Sequence, residues 1–527
     1  MMSENFPVEG ETSGRVVTRW LSQPISWAAL WIVGRVLLWT LIPALVLPNI
    51  TLDDVEILVW GREWQWGYYK HPPLTAWFAE TLAWATGRTD AAQFFGSALC
   101  IGLTMAAAYR LARRKLSAEV AFVAVVLLEA CHYYHITSIE LNNNTLLIPC
   151  WAWLTVSFWD ALEQRRLRDW IHLGVWLAVG MYAKYSIGLL ILTLLATPLF
   201  LPQARAALRT IGPYLATGVA FVLFAPHLQW MRQHHWLSVT YAVGRTESAG
   251  RWSEHLVNPL KFGFSQAAAL GLMTGVWLWA TRREKFAVPQ SRAENRTDFI
   301  RYLWWVTLAP LAALLVLSVI TGARLRSMWG APFWTFFPLA LLATFSQQLS
   351  AISLRRLQRA GMAWGVIVIV TFGLWQMLSP FCLGRPARTM FPGRSLARTV
   401  DRVWHEETDA PLTVIAGDWW LAGNAAYYHP IRPAVYSSFS SVESPWCNDN
   451  QINTAGCVIL VEPTPEATVE QALGELQQRF PRLKTCAHVE LAHQTSAHVK
   501  AQKVTIAIVP PASKIQTAVG TKETIVR

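Results

Sequence analysis

Three acids and a basic turn lie within one short stretch of this sequence. Thr51 to Trp77 reads TLDDVEILVWGREWQWGYYKHPPLTAW; it holds Asp53, Asp54 and Glu56, then the run Gly67-Tyr68-Tyr69-Lys70-His71-Pro72-Pro73. Carboxylates of this kind can remove a proton from a hydroxyl nucleophile. Lysine and histidine can stabilise negative charge that develops in a reaction. If Asp53 starts a helix, Asp53, Glu56 or Ile57, Trp60 and Trp64 share one face by spacings of three and four. Helix cannot pass through Pro72-Pro73, and the proline after His71 pushes it to an extended conformation. Lys70 and His71 therefore end a turn that folds back toward the acids. A plainer reading competes with this one: an interfacial helix with acids at its N-terminus and tryptophans 60, 64 and 66 as membrane anchors.

The elements that must position these residues are membrane helices. The chain is 53% hydrophobic and only 15% charged, with 29 tryptophans, the composition of a polytopic membrane protein. The net charge of +12 does not read as a nucleic-acid surface, because the basic residues fall in short clusters between apolar segments. About eleven spans are expected, near residues 25–47, 91–111, 118–134, 145–161, 170–182, 187–201, 211–229, 259–280, 301–320, 329–346 and 361–379. Several are short enough to require tilt or broken helices. On this count Arg110/Arg113/Arg114/Lys115, Arg165/Arg166/Arg168, Arg205/Arg209, Arg282/Arg283/Lys285 and Arg355/Arg356/Arg359 all fall on one side. By the positive-inside rule that side is the cytoplasm, with residues 1–23 a cytoplasmic segment rather than a cleaved signal.

The opposite face then gathers a different set. It carries the acid loop, His132-Tyr133-Tyr134-His135 with Glu140 and Asn142 to Asn144, then Lys184-Tyr185, His227, His234-His235, Arg245, Glu247 and Arg324/Arg326. Ionisable groups at or near membrane depth are costly and mark sites or cavities. This ring suits an anionic, hydroxyl-rich ligand. Within it His132, His135 and His227 read as groups that satisfy nearby backbone. Arg35, mid-way along the first span, is expected to pair with another helix or to reach a wet cavity.

Residues 24–380 thus form the membrane domain. Residues 381–511 read as a soluble α/β domain on the outward side, opposite the cytoplasm, with strands at Leu412 to Ile415, Val435 to Tyr436, Val458 to Glu462, His488 to Leu491 and Val504 to Val509. A helix is expected from Glu466 to Phe480, and residues 512–527 read as a disordered tail. Gly417-Asp418-Trp419-Trp420 and Ser444-Pro445-Trp446 read as ordinary packing. The seven cysteines show no paired metal pattern. Cys447 and Cys457 are open to either a disulfide or free thiols.

An acid pair in the first outward loop, Trp60 seven residues after Asp53, and the turn from Gly67 to Pro73 together resemble the bacterial glycosyltransferase family 39 proteins. These are related to protein O-mannosyltransferases and to the aminoarabinose and galacturonic acid transferases of lipid A. The resemblance extends to Asn142–Asn144, Ala183-Lys184-Tyr185 and Pro226-His227 with Trp230, and covers about residues 20–380. It implies a GT-C-type transmembrane bundle that takes a sugar from a polyprenyl-phosphate carrier, a membrane-lipid partner, and passes it to a cell-envelope acceptor. The location implied is the periplasmic face of a bacterial inner membrane, with no nucleic acid involved. The first acid is the family's catalytic carboxylate, which falls on Asp53. Asp54 and Glu56 stand beside it as a second base or ligand. Lys70, His71, Lys184, Tyr185, Asn143 and Arg245 are the expected substrate and phosphate ligands. The position before His-Pro-Pro is often acidic in these proteins and helps hold a divalent metal; here it is Lys70, which leaves a metal open and offers the carrier phosphate a cation instead. A transporter or flippase of lipid-linked sugars is the alternative reading. It fits the span count but not the collection of charge on one face.

Overall fold

The computed structural model describes residues 24–247, 250–286, 294–383, 387–463, 468–492 and 501–512. The expectations for residues 1–23 and for most of the tail lie outside them. The chain divides into two compact units, Met1–Cys382 and Leu383–Arg527.

The first unit is a helical membrane bundle. Six described helical segments are long and apolar enough by length and composition to cross a membrane: Trp27–Val46, Asp90–Ala112, Asn143–Gln164, Arg296–Thr321, Ser327–Gln348 and Ala351–Cys382. The remaining expected spans fall on helices that are shorter, broken or less apolar, at Ala118–Leu127, Leu167–Ala183, Gly188–Leu195, Gly212–Gln233 and Glu254–Thr281. The Asn143–Gln164 helix is buried along most of its length, as a helix apolar on all sides must be. Trp159 meets Phe299 and Tyr302 at ring distances of 5.1 and 5.0 Å, and the Tyr302 hydroxyl donates to Thr155 O at 2.7 Å.

Among the segments that depart from regular α-helix are the 3₁₀ turns between Leu128 and Ser138, and Ser327–Phe336. In hydrocarbon every backbone polar group needs an internal partner, so irregular backbone survives there only inside protein or along a cavity. Both segments contribute to one cavity described below.

Arg35 is paired as expected. Its Nε lies 3.1 Å from Glu129 Oε1, with both side chains almost wholly buried. Trp31 Nε1 donates to the same oxygen at 3.2 Å, and an Arg35 guanidinium nitrogen donates to Tyr134 O.

The acid loop contains two helices, Leu52–Gly61 and Leu74–Ala85. The first begins where the spacing predicts, but it ends at Gly61. Trp64 is therefore off the helical face assigned to it, in a left-handed conformation (φ 46°) and exposed. Gly61 lies where the two helices meet, since a Cβ there would lie 2.5 Å from Ala76 O on the second helix. That second helix was not anticipated; Pro73, taken as the end of an element, is its N-cap.

The second unit carries a five-stranded sheet: β1 (Val414–Gly417), β2 (Ala434–Ser437), β3 (Cys457–Val461), β4 (Lys484–Leu491) and β5 (Gln502–Val509), in the order β2-β1-β3-β5-β4. β1, β2 and β3 are parallel, and β5 pairs antiparallel with both β3 and β4. The expected helix runs Val469–Arg479. Three further helices, Gly393–Glu407, Trp419–Tyr428 and Asp449–Ala455, were not anticipated. Asp418 caps the second of these by accepting from Trp420 N. Cys447 and Cys457 are free thiols buried in the same core.

Candidate active site

The first turn of the Leu52–Gly61 helix separates its neighbouring acids. Asp54 points inward and is wholly buried. Its Oδ2 accepts from Thr51 N at 3.2 Å and Thr51 Oγ1 at 2.6 Å, and its Oδ1 accepts from Leu141 N at 3.1 Å. The bonds to Thr51 form a capping box, and the bond to Leu141 pins the helix start to the segment before Asn143. Burial pushes the Asp54 carboxyl well above the usual carboxylate range, against the pull of its Thr51 donor. Asp54 is thus engaged in holding the loop and does not line the cavity, which runs against the expectation of a second base.

Asp53 is half-buried and lines a cavity of about 710 Å³, within the ~300–1,000 Å³ range of small-molecule sites. Asn142 Nδ2 donates to Asp53 Oδ2 at 2.9 Å, and the Asp53 backbone N–H donates to Glu140 Oε1 at 2.7 Å. Asn142 is also the N-cap of the Asn143–Gln164 helix, accepting from Asn144 N and Thr145 N at 2.9 and 3.0 Å.

Glu56, one turn on, pairs with Lys70 at 2.5 Å. Desolvation would lower the Lys70 pKa, but Glu56 outweighs it and holds the ammonium above the ordinary lysine range. The turn folds back as predicted. Tyr68 N donates to His71 O at 3.0 Å, Tyr68 stacks on Trp60 at 5.3 Å, and Tyr68 OH donates to Trp60 O at 2.7 Å. Trp60 is buried beneath the turn, as a packing residue rather than an interface anchor. Gly67 makes the turn feasible, since a Cβ there would lie 2.4 Å from the Trp230 ring.

His71 is neutral. Burial, with Lys184, Lys70 and Arg245 nearby, drives its pKa down to about 3, so it offers a hydrogen bond rather than a charge. Tyr241 faces Lys70, His71 and Arg245 at ring distances of 5.9, 6.1 and 5.8 Å. It lies in a helix, Leu237–Gly244, and was not singled out from sequence.

Lys184 follows the Leu167–Ala183 helix in extended backbone. Its ammonium donates to Asn144 Oδ1, and Asn143 Nδ2 donates to Ala183 O at 3.0 Å. Asn143 therefore fixes the backbone beside Lys184 instead of facing the cavity. Burial lowers the Lys184 pKa to about 8; Asp53 opposes the shift, while Arg326 and Arg245 add to it. Its other neighbour is Trp329, 5.9 Å from ammonium to ring centroid. Tyr185 turns elsewhere. His227 Nδ1 donates to Trp66 O at 2.6 Å, which leaves Nε2 bare to accept from Tyr185 OH at 2.7 Å; Ser238 Oγ then donates to Tyr185 at 2.6 Å.

The structure thus brings Asp53, Glu56, Lys70, His71, Lys184 and Arg245 into one electrostatic neighbourhood, and leaves Asp54, Asn143 and Tyr185 as its braces. No group of three or more His, Cys, Asp or Glu side chains among the described residues is arranged to hold a metal ion. Glu56, the acid facing the turn, is taken by Lys70. Among the described residues, this set does not fit a bound divalent cation.

Comparisons with known proteins follow this geometry. A family model described as dolichyl-phosphate-mannose-protein mannosyltransferase matches residues 70–230. The lipopolysaccharide core galacturonosyltransferase RgtA of Rhizobium johnstonii is 25% identical over 472 residues, covering 85% of this chain and 88% of that protein. Among solved structures, ArnT from Cupriavidus metallidurans bound to undecaprenyl phosphate superposes with a TM-score of 0.59 at 13% identity, covering 91% of this chain and 98% of that one. The same protein in its apo state gives 0.57 at 11% identity, with 92% and 98% covered. With the bundle, the appended sheet domain and these likenesses, the chain is a membrane glycosyltransferase of the GT-C type.

Proposed function

We propose that the protein transfers a sugar from a polyprenyl-phosphate carrier to a cell-envelope acceptor, on the periplasmic face of a bacterial inner membrane, by a single inverting displacement. The observation that carries this reading is the double membership of Asp53. It lines the cavity and also lies within electrostatic reach of Lys184, whose neighbours include Arg245 and Arg326. A carboxylate at such a junction can take the proton of an acceptor hydroxyl on one side while cations receive the departing phosphate on the other. Lys70, Lys184 and Arg245 are the phosphate ligands in this scheme, and His71 is a neutral donor. ArnT, the fold relative, is described as bound to undecaprenyl phosphate, and this supports a polyprenyl-phosphate donor. The basic clusters between the spans support the orientation.

The test compares wild type with Asp53→Asn in purified full-length protein, using radiolabelled polyprenyl-phosphate sugars and envelope lipid extracts. Transfer should fall about 10²–10⁴-fold with an unchanged melting temperature. Undiminished transfer by the variant removes Asp53 from this role.

A further inference from the structure

At the end of the Leu167–Ala183 helix remote from Lys184, a basic pocket meets an apolar groove. The pocket, of about 140 Å³, is lined by Arg165, Leu167, Trp170, Thr210, Ile211 and Gly212 among others. Along the same helix runs a groove of about 450 Å³ walled by apolar side chains, among them Leu173, Leu177, Met181, Ala220 and Phe221. Trp170 lines both, so its ring is their common wall. Leu195 and Phe221, on the groove wall, are 69% and 65% exposed, which opens the groove to the hydrocarbon of a surrounding bilayer. Neither space shares a lining residue with the cavity at Asp53.

The pocket suits an anion. Arg165 stands in its wall, and Arg166, Arg168, Arg205 and Arg209 adjoin lining residues in sequence. None of these five side chains has an ion pair or hydrogen bond among the described residues. Asp160 and Glu163 are engaged by Arg110, Arg114 and Lys115, which leaves Asp169 as a single carboxylate beside five guanidinium groups. Leu167 and Gly212 begin helices of 17 and 22 residues, and neither start has a side-chain cap, so first-turn N–H groups stay open to an anion. Trp170 points the same way. It is 3% exposed, and its indole N–H has no hydrogen-bond partner among the described residues. A Cβ at Gly212 would collide with Trp170 Nε1, so this N–H lies against the lining residue that starts the second helix. Buried donors left unpaired are rare and call for an explanation.

We infer that this is a binding site for an anionic phospholipid of the cytoplasmic leaflet, with its phosphate in the Arg165 pocket and an acyl chain in the groove. The leaflet follows from the orientation proposed above; the site itself does not rest on the transferase reading. Basic pockets between membrane helices bind the head groups of anionic lipids in this way, and an indole suits a place with one polar and one apolar end. The polyprenyl carrier is the competing occupant. Arg165 and Lys184 flank a 17-residue helix, which sets them about 25 Å apart, so a phosphate held at Arg165 is not one presented to Asp53. At its far end the groove meets a buried cluster, where Met181 and Phe224 pack with Tyr182 and Trp230. A lipid seated here bridges the helix that leads to Lys184 and the helix that carries His227.

Full-length protein purified in detergent is titrated with phosphatidylglycerol, phosphatidylcholine or undecaprenyl phosphate, and retained lipid is counted by native mass spectrometry. Phosphatidylglycerol should be retained in preference to phosphatidylcholine and should raise the melting temperature. Arg165→Gln should weaken its retention about fivefold, the worth of one basic residue beside an anionic lipid. Trp170→Phe, which keeps a ring and removes the N–H, and Ala220→Trp, which fills the groove, should weaken it as well; these two decide the matter if Arg165→Gln does not fold. Lys70→Met removes a charge at the acid loop and should retain the lipid as wild type does. Equal retention of the two phospholipids, or undiminished retention by the folded variants, reduces the contact to ordinary boundary lipid and overturns the site. Displacement of phosphatidylglycerol by equimolar undecaprenyl phosphate, with the displacement lost in Ala220→Trp, assigns the groove to the carrier and overturns the phospholipid as occupant.

Discussion

Two ion pairs in the membrane unit look alike in composition and differ in what surrounds them. Arg35–Glu129 lies within the bundle, with side chains 4% and 1% exposed, closed off by Trp31 and the Tyr134 carbonyl. Lys70–Glu56 lies at the acid loop, with side chains 18% and 14% exposed, facing the rings of Tyr69 and Tyr241. The first pair joins segments distant in sequence, and both of its side chains are almost wholly buried. Its helix neighbour Gly365 lies so close that a Cβ there would meet Trp31 at 2.9 Å and Glu129 at 3.2 Å. The second pair keeps a lysine charged beside neighbours that are themselves polar and partly accessible. Burial of charge is thus nearly complete in one place and partial in the other.

The comparison is sharpest when one partner is removed. Glu129→Ala strands the Arg35 charge and should cost ~3–5 kcal/mol of folding stability, read as a lowered denaturation midpoint in detergent. Replacing both residues by methionine should recover most of that stability and leave transfer intact. A normally folded Glu129→Ala protein that has lost transfer would break the comparison by giving this pair a part in the chemistry. Lys70→Met should show the converse: transfer reduced about 10²–10³-fold, as on losing a donor to developing charge, with the midpoint near that of wild type. A large fall in stability there would make the two pairs equivalent.

A smaller effect concerns Lys184, whose pKa of about 8 sits below the ordinary lysine value of 10.5. Its charge is present below pH 8 and is lost as pH rises through that value. Donor affinity should therefore fall, by roughly tenfold one pH unit above it, and Lys184→Arg should remove the fall. Stability moves in the opposite sense. Between pH 8 and 10.5 the unfolded chain holds a proton that the folded chain has released, so the contribution of Lys184 to stability rises with pH. A donor affinity that stays flat to pH 9.5 in wild type would remove Lys184 from the phosphate side.

What the sequence revealed depended on how local the cause was. The five strands were visible because each is a short apolar run between turn residues, and the start of the Asp53 helix because its acids stand at cap positions. The end of that helix was not visible, nor was the close approach of Gly61 to Ala76 on a helix not yet identified. Pro73 was taken only as a breaker, although proline and the residues around it also start helices. Glu129 carried no signal as the partner of Arg35, because 94 residues separate them. Tyr241 was likewise hidden, an aromatic residue among many whose importance comes from the side chains that gather around it. Asp54 shows the limit most clearly. Composition and spacing cannot distinguish it from Asp53; the hydrogen bonds from Thr51 and Leu141 do.

The amide of Asn142 has two duties, closing the start of a membrane helix and holding the Asp53 carboxylate. The orientation of the carboxylate therefore persists for as long as the first turn of that helix does, and fraying of the turn and loss of aim are one event. The Asp53 carboxylate is thus tied to the start of a membrane helix, while Lys70 sits on a turn and Lys184 at a helix end. Asn142→Asp would keep the cap and place a like charge against Asp53, altering its readiness to take a proton without moving it. The two duties could be told apart at this single position.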